Sequence, residues 1–225
     1  GEGGIAVPVV LVEAEPEVDD IAAPSTVIKR DQMADAITDL PEVLEEQPGL
    51  RVTRMGGLGR FSSLSVRGSS GDQVLVYLDG IPLNGAEGGP VDLSTIPLGP
   101  LDRIVIYRGV SPATFARSAI GGVVSLHSRR LRGPHMEVEV GGGDFGTYVG
   151  RSYMGQGGAD WGLAVSNDFL STDGDFSFLD DGGTRFDSTD DVVRRRQNNG
   201  LQRFSNLVKG YKELGNGMTF RALSF

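Results

Sequence analysis

The chain of 225 residues contains no cysteine and only two histidines. The absence of cysteine excludes a disulfide framework, thiol catalysis and thiolate metal ligands. His127 and His135 belong to no Ser-His-Asp set and show no zinc-ligand spacing. We therefore expect that the chain is not an enzyme, that it has no catalytic residues, and that it has no metal site built from these residue types.

Long apolar segments are also missing. No apolar run approaches the ~20 residues that a membrane-spanning helix needs, so any span would have to be made of β-strands. The chain does not open with a basic segment and an apolar stretch, so we expect that any signal peptide has been removed. The net charge of −9 argues against nucleic acid as a partner.

Glycine, in contrast, is abundant at 34 residues, which favours turn-rich β structure over helix bundles. Between Ser25 and Arg130 short strands and helical turns alternate, and this predicts a compact α/β or α+β domain. Asp39 is placed to cap a helix that ends at Pro48-Gly49. The continuous apolar run Val74–Leu78 is typical of a strand that is covered on both faces.

The pattern changes at about Leu131. In Trp161–Phe169 large apolar residues alternate with small or polar residues, and in Met136–Val140 apolar residues alternate with glutamates. This period of two is typical of transmembrane β-strands of about ten residues. Five segments of strand length are predicted: Met136–Gly142, Phe145–Met154, Trp161–Phe169, Leu201–Lys212 and Met218–Phe225.

Three phrases together resemble the plug domain of TonB-dependent outer-membrane receptors. They are Leu64–Asn84, where two apolar strands are punctuated by Arg-Gly and Asp-Gly-Ile-Pro; Asp39–Leu44 with Pro48-Gly49; and Arg103–Gly109 followed by Ala119–Val124. The resemblance implies an α+β plug domain followed by antiparallel transmembrane β-barrel strands, in the outer membrane of a Gram-negative bacterium. The three parts would be a mobile lead at 1–23, the plug at 24–130 and the first barrel strands at 131–225.

The family resemblance also implies a function. It implies TonB-dependent uptake of a scarce nutrient, with a ferric siderophore or cobalamin as the ligand, no cofactor, a TonB-like energy-transducing protein as the partner, and outer-membrane lipid and lipopolysaccharide around the chain.

Five strands cannot close a barrel, because the smallest single-chain barrels have about eight. We expect either an N-terminal fragment or a barrel completed by another chain. In the second case the chain would be a non-transporting structural subunit of a larger outer-membrane assembly. A soluble periplasmic signalling domain is a further alternative, and it would require the strands from Met136 onward to face water.

The apolar segment in the lead resembles the TonB box, which pairs with its periplasmic partner by strand addition. Strand addition needs free backbone groups and alternating side chains, and a β-branched run in a mobile lead has both. The alternative is that Val9–Val12 forms the first strand of the plug. The predicted coupling residues are Val7, Pro8, Val9, Val10, Leu11 and Val12.

Two arginines follow apolar strands at Arg67-Gly68 and Arg108-Gly109. In similar receptors, arginines at these positions reach glutamates on the inner barrel wall, so the resemblance predicts that Arg67 and Arg108 lock the plug to the barrel by bidentate hydrogen bonds. The alternative is a pair of solvated strand ends. The turn at Asp79-Gly80, stiffened by Pro82, is predicted to be structural only.

Two glycine-rich loops, Met55–Phe61 and Leu83–Pro90, resemble the apical loops that face the ligand in this family. Glycine permits close approach of the backbone, and polar side chains beside it could contact a ligand. The alternative is that these are ordinary surface loops. The predicted ligand-binding residues are Arg54, Arg60, Asn84 and Glu87.

Carboxylates are clustered between Asp173 and Asp191. Such a loop could bind Ca²⁺ through its oxygen atoms, but it lacks the twelve-residue EF-hand spacing, and a solvated extracellular loop is the favoured interpretation. The run Arg194–Arg196 could neutralise the carboxylates or contact lipopolysaccharide.

Overall fold

The computed structural model describes residues 9–12, 25–33, 39–85, 88–109, 115, 119–183, 189, 191–197, 199–214 and 218–224. Within these ranges lie fifteen strands, one α-helix and three short 3-10 helices. The strands are β1 (Val9–Val12), β2 (Ser25–Lys29), β3 (Leu50–Arg54), β4 (Ser62–Val66), β5 (Val74–Leu78), β6 (Ile81–Pro82), β7 (Leu101–Arg108), β8 (Gly122–Ser128), β9 (Gly133–Gly143), β10 (Thr147–Gly157), β11 (Trp161–Thr172), β12 (Ser177–Asp180), β13 (Val192–Arg195), β14 (Leu201–Leu214) and β15 (Met218–Ser224). The helices are α1 (Leu40–Glu45) and the 3-10 helices Arg30–Met33, Gly71–Gln73 and Leu93–Thr95. No helix in the described ranges is long and apolar enough to cross a membrane.

The N-terminal domain, called the plug below, is built on a five-stranded mixed sheet with the order β2-β7-β8-β5-β6. The β5–β8 pair is parallel and the other pairs are antiparallel. All five residues of β5 are buried, as the sequence predicted, because apolar side chains cover both faces of the sheet. One face packs against the main core, which includes Leu44 and Ile104, and the other face packs in a smaller cluster with Tyr77, Tyr107 and Phe115.

The helix α1 begins after Asp39, as the sequence predicted, and ends at Glu45, before the predicted stop at Pro48-Gly49. Asp39 is the N-cap, and its Oδ1 accepts a hydrogen bond of 2.9 Å from the backbone N–H of Glu42. Pro41 lies in the first turn, where its missing N–H costs nothing. Leu40 and Leu44 are buried in the main core, and the antiparallel hairpin β3-β4 follows the helix.

The C-terminal part forms a six-stranded antiparallel sheet, called the wall below, with the order β1-β15-β14-β11-β10-β9. It contains the five predicted strands, most of them longer than predicted at one or both ends. The hairpin β12-β13 in the connection between β11 and β14 was not predicted. Its exposed apolar residues are separated by the acidic segment, which hid the pairing from sequence reasoning.

The two faces of the wall differ as the period-two pattern predicted. The inner face packs on the plug, and its buried residues include Tyr153, Ala164, Ser166, Asp168, Leu170, Leu207 and Lys209. The outer face exposes large apolar residues: Met136, Val138, Val140, Tyr148, Leu163, Phe169 and Phe204. Alternate residues of a strand point to opposite faces, so each strand contributes to both sets.

One row of the outer face is polar. Ser152 on β10, Asn167 on β11 and Asn206 on β14 are direct cross-strand neighbours. The Asn167 amide donates to the Ser152 hydroxyl at 3.1 Å, and the Asn206 amide donates to Asn167 Oδ1 at 2.8 Å. The three side chains therefore form a chain of two hydrogen bonds across three strands.

Gly122, the first residue of β8, offers a test of how tightly the plug sheet is packed. Its φ is +148°, and a Cβ at this position would lie 2.5 Å from the carbonyl oxygen of Tyr107. We expect Gly122→Ala to lower the free energy of unfolding of the plug by about 3 kcal/mol, since both the backbone and its neighbour would be strained. The measurement is resistance of the plug to proteolysis as a function of urea concentration. Gly68→Ala is the matched control, because Gly68 also has positive φ but its Cβ would meet nothing within 4 Å; equal losses in the two variants would contradict this account.

Candidate functional site

Several buried polar side chains lie at the seam between the plug and the wall, among them Asp79, Ser128 and Lys209. Strand β14 turns two side chains, Leu207 and Lys209, into the plug. Leu207 is only 1% exposed and belongs to the main core of the plug. The plug and the wall therefore share one interior at this strand.

Asp79 is the plug residue that receives the charge of Lys209 from the wall. It follows β5 in a turn with φ +48°, and Oδ1 accepts a hydrogen bond of 2.8 Å from the backbone N–H of Ser128. Lys209 Nζ lies 2.8 Å from Asp79 Oδ2. The Ser128 hydroxyl donates to Asp79 and accepts from Lys209. The predicted turn at Asp79-Gly80 is present, and the structure adds an ion pair that the sequence analysis did not anticipate.

The charge of Asp79 is favoured by these partners. Burial raises the pKa of the Asp79 carboxyl, but the Lys209 charge and the hydrogen bonds from Lys209 and Ser128 outweigh it. The pKa of Asp79 therefore lies below its ordinary value. The carboxylate is ionised at neutral pH and holds a buried ammonium group.

A second ionic contact joins the plug to β9. Glu137 accepts a hydrogen bond of 2.7 Å from Arg30 and two of 2.8 Å from the guanidinium of Arg129. Arg30 also donates to the carbonyl groups of Gly99 and Leu101, at 3.1 Å each. Sequence reasoning missed these roles, because Glu137 was read only as a charge on the minor face of an alternating strand.

The loop at Met55–Arg60 contacts the wall through a reciprocal pair of arginines. Arg60 donates to the Gly200 carbonyl at 3.0 Å, and Arg203 of β14 donates to the Gly59 carbonyl at 3.4 Å. Gly59 has a φ of +74°, which favours glycine, and a Cβ there would also lie 2.5 Å from the Cδ2 methyl of Leu201. The predicted ligand residue Arg60 thus contacts the wall directly.

The other predicted ligand residues have separate partners. Arg54 donates to Glu45 at 3.3 Å. The Asn84 amide accepts from the backbone N–H of Val76 at 2.9 Å and donates to the carbonyl groups of Val74 and Gly89 at 3.1 and 3.2 Å. These bonds hold the loop after β6 in place, and a ligand contact by Asn84 would compete with them. Glu87 lies outside the described residues, and ligand binding by all four residues stays a prediction.

Arg108 lies close to Gly49, and Arg67 lies close to Gly109. A Cβ on Gly49 would be 3.9 Å from Arg108 Nε, and a Cβ on Gly109 would be 3.9 Å from Arg67 Nη1. Arg108 donates to the Thr26 hydroxyl at 2.5 Å, and its Nε is buried without a hydrogen-bond partner in the described part of the chain.

Arg67 also lines an open groove of about 510 Å³ along the hairpin β3-β4. Hydroxyl groups of Thr53, Ser63 and Ser65 line the same groove. Neither Arg67 nor Arg108 takes part in an ion pair among the described residues, so the plug-to-barrel lock stays a prediction.

The predicted coupling segment is extended where the structure describes it. Strand β1 pairs antiparallel with β15, so that Val9 is opposite Leu223 and Val12 is opposite Phe220. It forms one edge of the wall and is not a strand of the plug sheet. Val7 and Pro8 lie outside the described residues, and the coupling role stays a prediction.

The acidic segment is partly neutralised by arginines. Arg194 pairs with Asp180 at 2.9 Å, and Arg195 pairs with Asp175. Within the described ranges, no group of three or more His, Cys, Asp or Glu side chains is arranged to hold a metal ion. Asp187 and Asp190 lie outside those ranges, so Ca²⁺ binding here is untested.

Comparison with known proteins identifies the N-terminal domain. Residues 17–123 match the family model of the TonB-dependent Receptor Plug Domain. The chain is 46% identical over 87 residues to the vitamin B12 transporter BtuB of Vibrio cholerae serotype O1. The matched stretch is 39% of this chain and 14% of that transporter's length.

Solved structures share the fold of both parts. The ferric yersiniabactin uptake receptor FyuA from Yersinia pestis matches with a TM-score of 0.56 and 22% identity, over 86% of this chain and 29% of that protein. The copper transporter OprC matches with a TM-score of 0.61 and 16% identity, over 88% of this chain and 30% of that protein. The chain thus spans less than a third of the length of either receptor.

The ion pair of Asp79 makes the contact between the plug and the wall sensitive to acid. The pKa of Asp79 is lowered in the folded protein, so its contribution to stability is complete above the unfolded pKa of about 3.9 and is lost as the pH falls through the lower, folded pKa. We expect Asp79→Asn to cost about 3 kcal/mol at neutral pH, because it leaves Lys209 charged and buried, and we expect this difference from the wild type to shrink in acid.

The measurement is urea unfolding of both proteins between about pH 7 and pH 2. Asp160→Asn is the control, because Asp160 pairs with Lys212 where both side chains are about half exposed and solvent screens the pair. A constant difference between the wild type and Asp79→Asn over the whole pH range would show that the ion pair is not responsible.

Proposed function

Because residues 17–123 belong to the plug-domain family of the TonB-dependent receptors, which are outer-membrane proteins of Gram-negative bacteria, we propose that this chain takes part in TonB-dependent uptake of a scarce nutrient. The family consists of receptors and transporters, and the similar proteins are named as such. This favours transport over the alternative of a non-transporting structural subunit.

The observation that best supports transport is the close fit of the plug against the inner face of the wall. The outer face of the same strands is apolar and exposed, as expected for strands that face lipid, while the inner face buries charged residues under the plug. A plug held inside a lipid-embedded wall would block passage until it is remodelled. This supports import by mechanical coupling, without bond chemistry.

The connections between the wall strands support an orientation. Outer-membrane barrels have short periplasmic turns and longer extracellular loops. The connection 173–200 is the long one, so it would face the outside, and the short turn at Asp160 would face the periplasm. Arg60 and Gly59 contact the wall at the outer end, where the glycine-rich loop would meet a ligand.

For the substrate we propose cobalamin or a ferric siderophore, with cobalamin as the first to test. The relative that shares 46% identity over part of the chain is named as a vitamin B12 transporter. FyuA is named for ferric yersiniabactin and OprC for copper, so one fold serves different cargoes. Arg54, Arg60, Asn84 and Glu87 are proposed to contact the ligand, and Ca²⁺ at the acidic segment is a lesser proposal.

We further propose that Val7–Val12 binds a TonB-like partner in the periplasm by strand addition, with lipid and lipopolysaccharide around the wall. The pairing of β1 with β15 supports this, since it shows that the backbone of Val9–Val12 can join a sheet edge. Arg67 and Arg108 are proposed to pair with carboxylates of barrel strands. The unpartnered Nε of Arg108 is consistent with a further acceptor there.

The uptake test uses the full-length protein in a Gram-negative host that lacks its own cobalamin and siderophore receptors. Cells are supplied with radiolabelled cobalamin or with a labelled ferric siderophore. We expect accumulation of one of the two, and we expect it to stop when TonB is deleted or the proton gradient is collapsed. Uptake that survives both treatments, or no uptake of either class, would contradict the proposal.

Proline substitutions test strand addition by the coupling segment. Along an edge strand, alternate backbone N–H groups point to the partner, and proline has no N–H to donate. We therefore expect that, of Val10→Pro and Leu11→Pro, one abolishes uptake and the other reduces it only weakly, so that each serves as the control for its neighbour. The measurement is the initial rate of uptake at equal amounts of receptor in the outer membrane. Equal rates for both variants and the wild type would exclude strand addition by this segment.

A further inference from the structure

Lys209 is an unusual residue for the inner face of the wall, because it lies under the plug with only 7% of its surface exposed. A buried ammonium group is costly unless it is paired and hydrogen-bonded. Asp79 supplies the countercharge at 2.8 Å, and the Ser128 hydroxyl supplies a second acceptor. The two charges therefore compensate each other, and the Ser128 hydroxyl hydrogen-bonds to both of them.

The position of these three residues in the plug sheet determines how they would respond to a force on the N-terminal lead. Asp79 follows β5 and Ser128 ends β8, and these two strands are parallel neighbours. Strand β2 lies at the opposite edge of the sheet and pairs only with β7. Once β1 has left β15, tension applied through the N-terminal lead would reach β2 before the other strands of the plug sheet. The nearest wall contact there is Arg30 with Glu137, whose side chains are 34% and 41% exposed.

We propose that Asp79, Ser128 and Lys209 form a buried ionic anchor that keeps the β5–β8 part of the plug on strand β14 while the rest of the plug is remodelled. Leu207 contributes an apolar contact to the same place, two residues away on β14. The anchor itself follows from the geometry alone, whereas its role during remodelling rests on the proposed function. It is distinct from the predicted lock at Arg67 and Arg108, which needs carboxylates on other strands.

The first test measures how often the plug separates from the wall. Ser166 on β11 is 2% exposed, and its hydroxyl lies 3.4 Å from where a Cβ on Gly99 of the plug would be. These 225 residues contain no cysteine, so Ser166→Cys introduces one thiol of nearly the same size into them, and any cysteine elsewhere in the full-length protein is replaced by serine. The rate at which a water-soluble maleimide labels this thiol in the full-length protein reports transient opening of the seam.

We expect Asp79→Asn or Lys209→Met to raise the labelling rate roughly a hundredfold, because each leaves an uncompensated group in the interior. The double variant should be labelled far more slowly than the product of the two single effects predicts, since neither charge is then left alone. Asp160→Asn and Lys212→Met are the matched controls on the same strand and its neighbouring turn. That pair is exposed, so these variants should leave the rate unchanged.

Unchanged labelling in Asp79→Asn and Lys209→Met would overturn the anchor, and so would single effects that simply multiply in the double variant. A second measurement leaves the anchor residues intact and so does not depend on whether those variants fold. Gly99 adjoins the anchor, because the Arg129 N–H next to Ser128 donates to the Pro100 carbonyl at 2.9 Å. A Cβ on Gly99 would lie 3.4 Å from the Ser166 hydroxyl. Gly99→Cys combined with Ser166→Cys should therefore place two thiols within reach of a disulfide across the seam, beside the anchor.

If this part of the plug stays in place, uptake by the oxidised double-cysteine protein should equal uptake by the same protein after reduction. Loss of uptake on oxidation, restored by a reductant, would overturn the proposed role during remodelling. Absence of uptake by the wild type and by the reduced double-cysteine protein alike would instead count against the proposed transport function. The labelling test does not involve transport, so the two failures are distinguishable.

Discussion

The burial of charge between the plug and the wall is the constraint on which the architecture depends. The inner face of the wall carries Asp168, Arg151 and Lys209, and the Arg151 Nε donates to Asp168 at 2.9 Å with both side chains at most 10% exposed. Such groups are expensive where they face lipid, so they lie on the inner face, and under the plug they are tolerable because they are paired. The plug provides the cover, and the wall in turn completes the core of the plug with Leu207. Neither part buries its polar groups well without the other.

The parts of the fold that depend on local chemistry could be predicted from the sequence. The cap at Asp39, the early proline and the glycine that follows place α1 correctly, because each acts within one or two turns. The continuous run at β5 and the alternation at β11 also identified a strand buried on two faces and a strand buried on one. The predicted strand ends were less accurate. Strand β9 begins at Gly133 and not at Met136, because backbone pairing continues through residues that do not follow the apolar–polar alternation.

The candidate site was harder to predict, because its contacts join residues that are far apart in the chain. Asp79 was interpreted as a turn residue, and the local sequence contains nothing that points to Lys209. One signal was available: Glu137 and Asp168 alternate with apolar residues on predicted wall strands, so they belong on the face turned away from lipid, where polar partners can lie. That argument indicates a charged seam but cannot name the plug residues. The proposed roles of Arg67 and Arg108 would likewise need carboxylates that local sequence cannot locate.

The polar row on the outer face has a consequence for how the wall strands align. Ser152, Asn167 and Asn206 hydrogen-bond to one another only when β10, β11 and β14 stand at the observed relative heights. A slip of one residue would turn Asn167 inward and carry Asp168 out to the hydrocarbon, breaking two amide contacts and stranding a carboxylate at once. The row therefore favours the observed register of β10, β11 and β14 over one that is shifted by a single residue.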